Sequence, residues 1–279
     1  MTGTAYRVAA LFRYPLKSAG GARCDAVELD RYGVRDDRRW MMIDDAGRPL
    51  TQREHPPLAL LRASPTEEGL AVRWTGPGGA SAFVVRQPAR TACRRPVTIW
   101  GDTVHLPVAD AAASEWLSAT LGREAHFAWM PADVERPVNP RYARPEDRTA
   151  LTDGYPLHLI GSGSMADLNG RLDTPVGVER FRPNVYVEGP PAFDEDSWGE
   201  VRIGAECTLR IVKPCPRCAV TTVDPETGVR GKEPLRTLSG YRQREGGVMF
   251  GQNALHDGAG TLRVGDPVEV VSRRDAPAG

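Results

Sequence analysis

The sequence is short of lysine, has no net charge and contains no long apolar run. Lysine occurs only at Lys17, Lys213 and Lys232, arginine carries the rest of the positive charge, and Lys plus Arg equals Asp plus Glu at 36 each. Zero formal charge removes the positive excess that supplies most nonspecific affinity for nucleic acid, so no nucleic-acid partner is expected. No stretch approaches the roughly 20 apolar residues that span a bilayer. The opening "MTGTAYRVAALFRYPLKS" breaks its apolar run, Val8 to Phe12, at once with Arg13. It therefore lacks a signal-peptide core, and a cytoplasmic protein with no membrane partner is expected. In that compartment the five cysteines, three of them isolated (Cys24, Cys93 and Cys207), are expected to be reduced thiols. No G-x-G-x-x-G follows a strand and no iron–sulfur cysteine spacing occurs, so the chain is not expected to oxidise NADH alone.

What is present is a β-rich chain. Its 279 residues, 41% hydrophobic, suffice for one large domain or two ordinary ones. Short apolar or alternating runs fill the first 110 residues: "YRVAALFRYPL", "AVELD", "RRWMMIDD", "LAVRWT" and "AFVVRQ", punctuated by Gly, Pro and Asp. Their regular spacing predicts a barrel or sandwich rather than βαβ units. Ala109 to Leu121 switches to helical composition, with Ala112, Trp116 and Leu121 near one face and Gly122 as the stop. The proline-rich "MPADVERPVNPRYARPEDRTALTDGYP" then reads as an interdomain linker or a functional loop. "GSGSMADLNGRLD" predicts a helix capped by Ser162 or Ser164. Strands return in "RPNVYVEG", "EVRIGAECTLRIVKP" and "TLRVGDPVEVVS". The expected organisation is two β-rich units that divide between residues 108 and 150.

The chemistry concentrates in "KPCPRCAVTTVDPETG", residues 213 to 228. "CTLRIVKP" alternates like a strand, and Pro214 and Pro216 are expected to break its ladder, leaving both cysteines on a loop. A structural zinc site needs a second Cys or His pair, and the five histidines are scattered. A redox dithiol needs a helix N-terminus, which the β-branched "AVTTV" disfavours. Two packed thiols remain possible on the residues alone. Against that, Lys213 and Arg217 make a positive setting that favours thiolate. Such a thiolate is a good ligand for a soft or high-valent metal that brings ligands of its own.

Taken together, "KPCPRCAVTTVDPETGVRGKEPLRTL", "FGQN" and "GTLRVGDPVEV" resemble the MOSC domain. "LFRYPLKSAGG", "DRRWMMID", "FRPNVYVEG" and "EDSWGEVRIG" resemble the branch in which a β-barrel domain precedes it. The resemblance spans nearly the whole chain. It implies a mainly β, α+β fold, with a MOSC N-terminal β-barrel domain over 1–120 and a barrel-like MOSC domain over 121–275. In that branch the second cysteine of the loop ligates molybdenum held otherwise by a molybdopterin, which implies Cys218 as metal ligand and catalytic residue. Matching positions imply cofactor contacts at Lys17, Ser18, Arg38, Thr152, Asp153, Arg182, Asn184, Arg217 and Asn253. The residue types suit such a ligand, with guanidinium, ammonium and hydroxyl donors for a phosphate and a carboxylate and an amide for a pterin edge. Considered singly, Arg38 and Arg182 would read as surface ion pairs, and Asp224 and Glu233 read as structural.

The activity implied is reduction of small N-hydroxylated compounds, amidoximes and hydroxylamines, to the corresponding N–H compounds. Bacterial relatives carry an added ferredoxin-like domain whose cysteine cluster this sequence lacks. Electrons are therefore expected from a separate donor, ferredoxin-like or cytochrome b5-like with its reductase. The alternative is a carrier in which a loop cysteine conveys sulfur or handles the molybdenum cofactor without turnover.

Overall fold

Alternating apolar residues build a closed ring of seven strands in the computed structural model, which describes residues 6–89 and 91–274. The outermost residues of both expected units lie outside the described part. The strands are β1 (Tyr6–Arg13), β2 (Leu157–Gly161), β3 (Val185–Glu188), β4 (Trp198–Ile203), β5 (Cys207–Arg217), β6 (Gly247–Asp257) and β7 (Pro267–Arg273). They pair in the order β2-β3-β1-β7-β4-β5-β6, and β6 pairs back onto β2 to close the barrel. Only β2 and β3 run parallel, which requires a crossover; the helix Ser162–Asn169 lies in it. Val8, Leu11, Val187, Trp198, Val201, Leu209 and Ile211 fill the interior, each such side chain contributing about 1.5–3 kcal/mol by leaving water. Strand β1 comes from the stretch read as the first unit, yet it is a stave of a barrel otherwise built from residues 157–273.

Around this barrel the first half adds smaller layers. A three-stranded sheet (Leu61–Thr66, Gly69–Trp74, Ser81–Arg86), a hairpin (Arg94–Ile99, Asp102–Pro107) and a pair (Trp40–Ile43, His126–Trp129) share two further apolar clusters. The first helix runs Ala111–Leu121 and stops at left-handed Gly122, φ 66°. It starts later than expected because the Asp110 carboxylate accepts from the Ala113 amide at 2.9 Å. Its buried face is Ala113 and Leu117, flanked by Trp116 and Leu121, while Ala112 is exposed. Trp116 decides this by stacking on Phe83 and Phe127 at 5.8 and 6.5 Å.

Two expectations fail for tertiary reasons. The helix Ser162–Asn169 has Gly161 at its cap and no side-chain cap. The Ser162 hydroxyl instead accepts from the Gly189 amide, and Ser164 donates to Glu195 at 2.7 Å. Strand β5 does not stop at the prolines: it runs against β6 past Pro214 and Pro216, with bulges between Ile211 and Lys213 and between Pro214 and Pro216. Bulges absorb residues that cannot donate to the ladder. Cys215 therefore lies within the strand, and only Cys218 lies beyond it, before the 3-10 turn Ala219–Thr222. The proline-rich segment forms no named strand or helix, but it is no free linker. Arg136 pins it, donating to the Ala150 and Thr152 carbonyls at 3.0 and 2.6 Å and to Asp102 at 2.8 Å.

Candidate active site

The end of β1, the starts of β2 and β3 and the end of β5 face one mouth of the barrel, and the layers of the first half close over it. The result is a cavity of about 470 Å³. All ten residues singled out from sequence line it: Lys17, Ser18, Arg38, Thr152, Asp153, Arg182, Asn184, Arg217, Cys218 and Asn253. Three of them, Ser18, Arg38 and Arg182, have left-handed backbones with φ of 67°, 47° and 55°. Non-glycine residues adopt such conformations where surrounding contacts over-determine them, most often at functional sites.

Positive charge dominates the wall. Lys17, Arg38, Arg53, Arg182, Lys213 and Arg217 face a single lining carboxylate, Asp153. Lys17 donates to the Leu151 carbonyl at 2.8 Å and to Asp153 at 2.6 Å, and Arg53 takes the other Asp153 oxygen at 2.7 Å. Burial pushes the Lys17 ammonium down, against the pull of Asp153. Burial would raise the Asp153 carboxyl, but Lys17 and Arg53 outweigh it and hold it well below the usual range. Arg38 and Arg182 both stack on the Tyr14 ring at 4.3 Å. Burial, then repulsion from Arg38, pushes Arg182 down to about 10. The buried Asp37 carboxylate pairs with Arg38 and offsets part of this crowding, which a bound anion would offset further.

Several of the ten act on their neighbours. The Asn184 carbonyl oxygen accepts from Arg38 and from the His158 amide, each at 3.2 Å, and its NH2 donates to the Phe12 carbonyl. Together with the Asp37 carboxylate and the Arg182 carbonyl, which also accept from Arg38, it fixes the direction of that guanidinium. Thr152 shares a 2.6 Å hydrogen bond with Thr149, and Asn253 donates to the Pro214 carbonyl at 3.4 Å, bracing the cysteine strand. The Ser18 carbonyl accepts from Gln52 at 2.7 Å.

The sulfur wall is differentiated. Arg217 donates to the Cys215 sulfur at 2.9 Å, to the Phe181 carbonyl at 2.6 Å and to His158 Nε2 at 3.3 Å. Burial, then Arg217, lowers His158 well below its ordinary value, so the ring is neutral, with Nε2 between Arg217 at 3.3 Å and the Phe250 carbonyl at 3.4 Å. Arg53 and Cys218 line the same cavity. The Nε groups of Arg53 and Arg217 are buried without a partner, unspent donors on the lining of the cavity that holds both cysteines. A cationic wall with spare guanidinium N–H groups around a thiol suits a large, multiply charged anion with a thiophilic centre.

The MOSC N-terminal beta barrel domain model matches residues 5–124, and the MOSC domain model matches residues 146–269. Mitochondrial amidoxime-reducing component 1 of Homo sapiens is 32% identical over 283 residues, covering 95% of this chain and 83% of that protein. The Danio rerio protein of the same name is 35% identical over 277 residues, covering 94% and 83%. Mitochondrial amidoxime reducing component 2 of Bos taurus is 31% identical over 279 residues, covering 94% and 82%. The chain belongs to the MOSC family, in its amidoxime-reducing-component branch.

In this MOSC protein the cavity draws on both matched segments: Lys17 to Trp100 from the first, Thr152 to Asn253 from the second. Sequence reasoning missed Thr51, Arg53, Trp100, Tyr155 and His158, which line the same space. Only Trp100 left a local signal, since "RRPVTIWGDTVHLP" is two alternating runs around a two-residue turn. Arg53 and His158 had none, because each is placed by partners far away in the chain. No helix among the described residues is long and apolar enough to cross a membrane.

Proposed function

We propose that this chain is an oxidoreductase that reduces amidoximes and hydroxylamines to the corresponding N–H compounds, with a molybdenum–molybdopterin cofactor in the cavity. One observation carries the reading: six cationic side chains and one carboxylate line the cavity that holds Cys218, with spare buried donors on Arg53 and Arg217. Cys218 would hold the metal through its thiolate. Lys17, Ser18, Arg38, Thr152 and Arg182 would hold the phosphate, with Asp153, Asn184, Arg217 and Asn253 around the pterin. The bound group would supply the two-electron chemistry at the N–O bond. Conversion of N–OH to N–H consumes two electrons and two protons and releases water. His158, neutral and packed against Arg217, would help hold that guanidinium in place on the wall. Electrons would come from a separate donor protein of ferredoxin or cytochrome b5 type.

The test is purification from a host able to make molybdenum cofactor, then metal and pterin analysis, then benzamidoxime with a chemical reductant. Benzamidine should form with chemical reductant or a donor protein and its reductase, and not with NADH alone. Protein fully loaded with molybdenum and pterin yet inert toward every N-hydroxylated compound would overturn the reading in favour of sulfur transfer.

A further inference from the structure

We infer that Trp100 selects flat, conjugated substrates, its indole forming a stacking platform at the cavity mouth for aryl-substituted N-hydroxylated compounds. The inference rests on the reductase reading above. Of six tryptophans, Trp100 alone is exposed, at 66%. An exposed tryptophan by itself would mean little. This one lines the Cys218 cavity and sits in the Trp100–Gly101 turn with φ 56°. Turns of this kind favour Asn, Asp or Gly, and a bulky ring in the left-handed region is uncommon. Neither burial nor backbone preference explains an indole there, and such positions cluster at binding sites.

Its neighbours supply the explanation. Arg53 stacks on the indole at 4.8 Å and is tied to Asp153 at 2.7 Å, and all three line the cavity that holds Cys218. The strands that carry the turn are anchored by Val97, Ile99, Val104 and Leu106 in a buried cluster. The indole is thus presented from a rigid base. Tyr155, Phe181 and Val220 add apolar surface to the same cavity. A polar interior with an aromatic entrance fits a molecule with a polar N–OH head and a flat body. An aryl amidoxime would direct its head toward Cys218 while its ring lies offset against the indole.

The test compares wild type, Trp100→Ala and Trp100→Phe at matched molybdenum content, with benzamidoxime and with acetamidoxime. Loss of one stacking contact should raise KM for benzamidoxime about 3- to 10-fold in Trp100→Ala, with kcat little changed. The acetamidoxime KM should move less than about 2-fold, and Trp100→Phe should restore most of the benzamidoxime value. Equal shifts for both substrates, or none, would overturn the inference. In parallel, benzamidine, which is not turned over, is titrated while indole fluorescence is followed. Quenching should occur in wild type and vanish in Trp100→Phe. An inert wild type would defeat the reductase reading, and the titration would still decide this one: no quenching, or quenching that survives in Trp100→Phe, defeats it.

Discussion

Among single residues, the two thiols of one motif have different surroundings. Cys215 sits inside a paired strand, and its sulfur accepts from Arg217 at 2.9 Å. Cys218 follows the strand end and lines the cavity together with Arg53. Cys218→Ala is therefore expected to abolish molybdenum retention, and Cys215→Ala to leave much of it, as measured by metal per chain after gel filtration. Equal loss in both variants would point to a site shared by two thiolates. His158 allows a second prediction, on pH. Burial holds its folded pKa far below the value of about 6.5 that it regains on unfolding. Between those two values the unfolded chain binds a proton that the folded chain does not, so this residue costs stability as pH falls below about 6.5. Thermal unfolding followed down the acid side should lose Tm more steeply in wild type than in His158→Gln. Parallel slopes would show that the ring titrates normally.

Among the elements, the seam between β2 and β6 is the informative place for mutation, because it both closes the barrel and seats His158. There His158 lies opposite Asn253 and Leu159 opposite Gln252. Gly251 has φ 72°, and a Cβ there would stand 2.5 Å from His158 Nε2 and 2.8 Å from the Leu159 carbonyl oxygen. Neither neighbour is free to retreat. The ring is packed and hydrogen-bonded, and the carbonyl belongs to the partner strand. Gly251→Ala is expected to destabilise by about 1–3 kcal/mol through the combined strain of backbone and clash, read as a lowered denaturation midpoint. Gly258 has φ 80° and nothing within 4 Å of its Cβ position, so Gly258→Ala is the control for backbone strain alone.

Across the molecule, the barrel is a joint product of both ends of the chain. β1 pairs with β3 and β7, and the strand Ala26–Asp30 pairs with Gly260–Arg263. A fragment that begins at residue 121 would lack one of seven staves and expose the edges of two strands, a configuration prone to aggregation. It is expected to be insoluble or unfolded, and co-expression of a segment through residue 35 should recover part of the folded material. A fragment from 121 that folds cooperatively alone would refute this account of the packing.

The β-rich class, most strand positions and the ten cavity residues were legible from the chain itself. Alternating burial has a period that can be read directly, as in "YRVAALFR" and "AVELD", and the cofactor-contact assignments followed from motif resemblance rather than geometry. Local patterning could not place Ser164, whose hydroxyl goes to Glu195 instead of capping its helix. Nor could it carry β5 past two prolines, since only pairing with β6 and its bulges makes that possible. Arg53, Trp100 and His158 became site residues through partners between 47 and 100 positions away, Arg53 through Trp100 and Asp153 and His158 through Arg217. Which faces turn inward, and which residue types stand ready for an anion, are properties of short stretches, so the order of residues alone settled them. That six cations line one cavity with Cys215 and Cys218 was settled only by folding, because chain closure brings them together and no local preference records it.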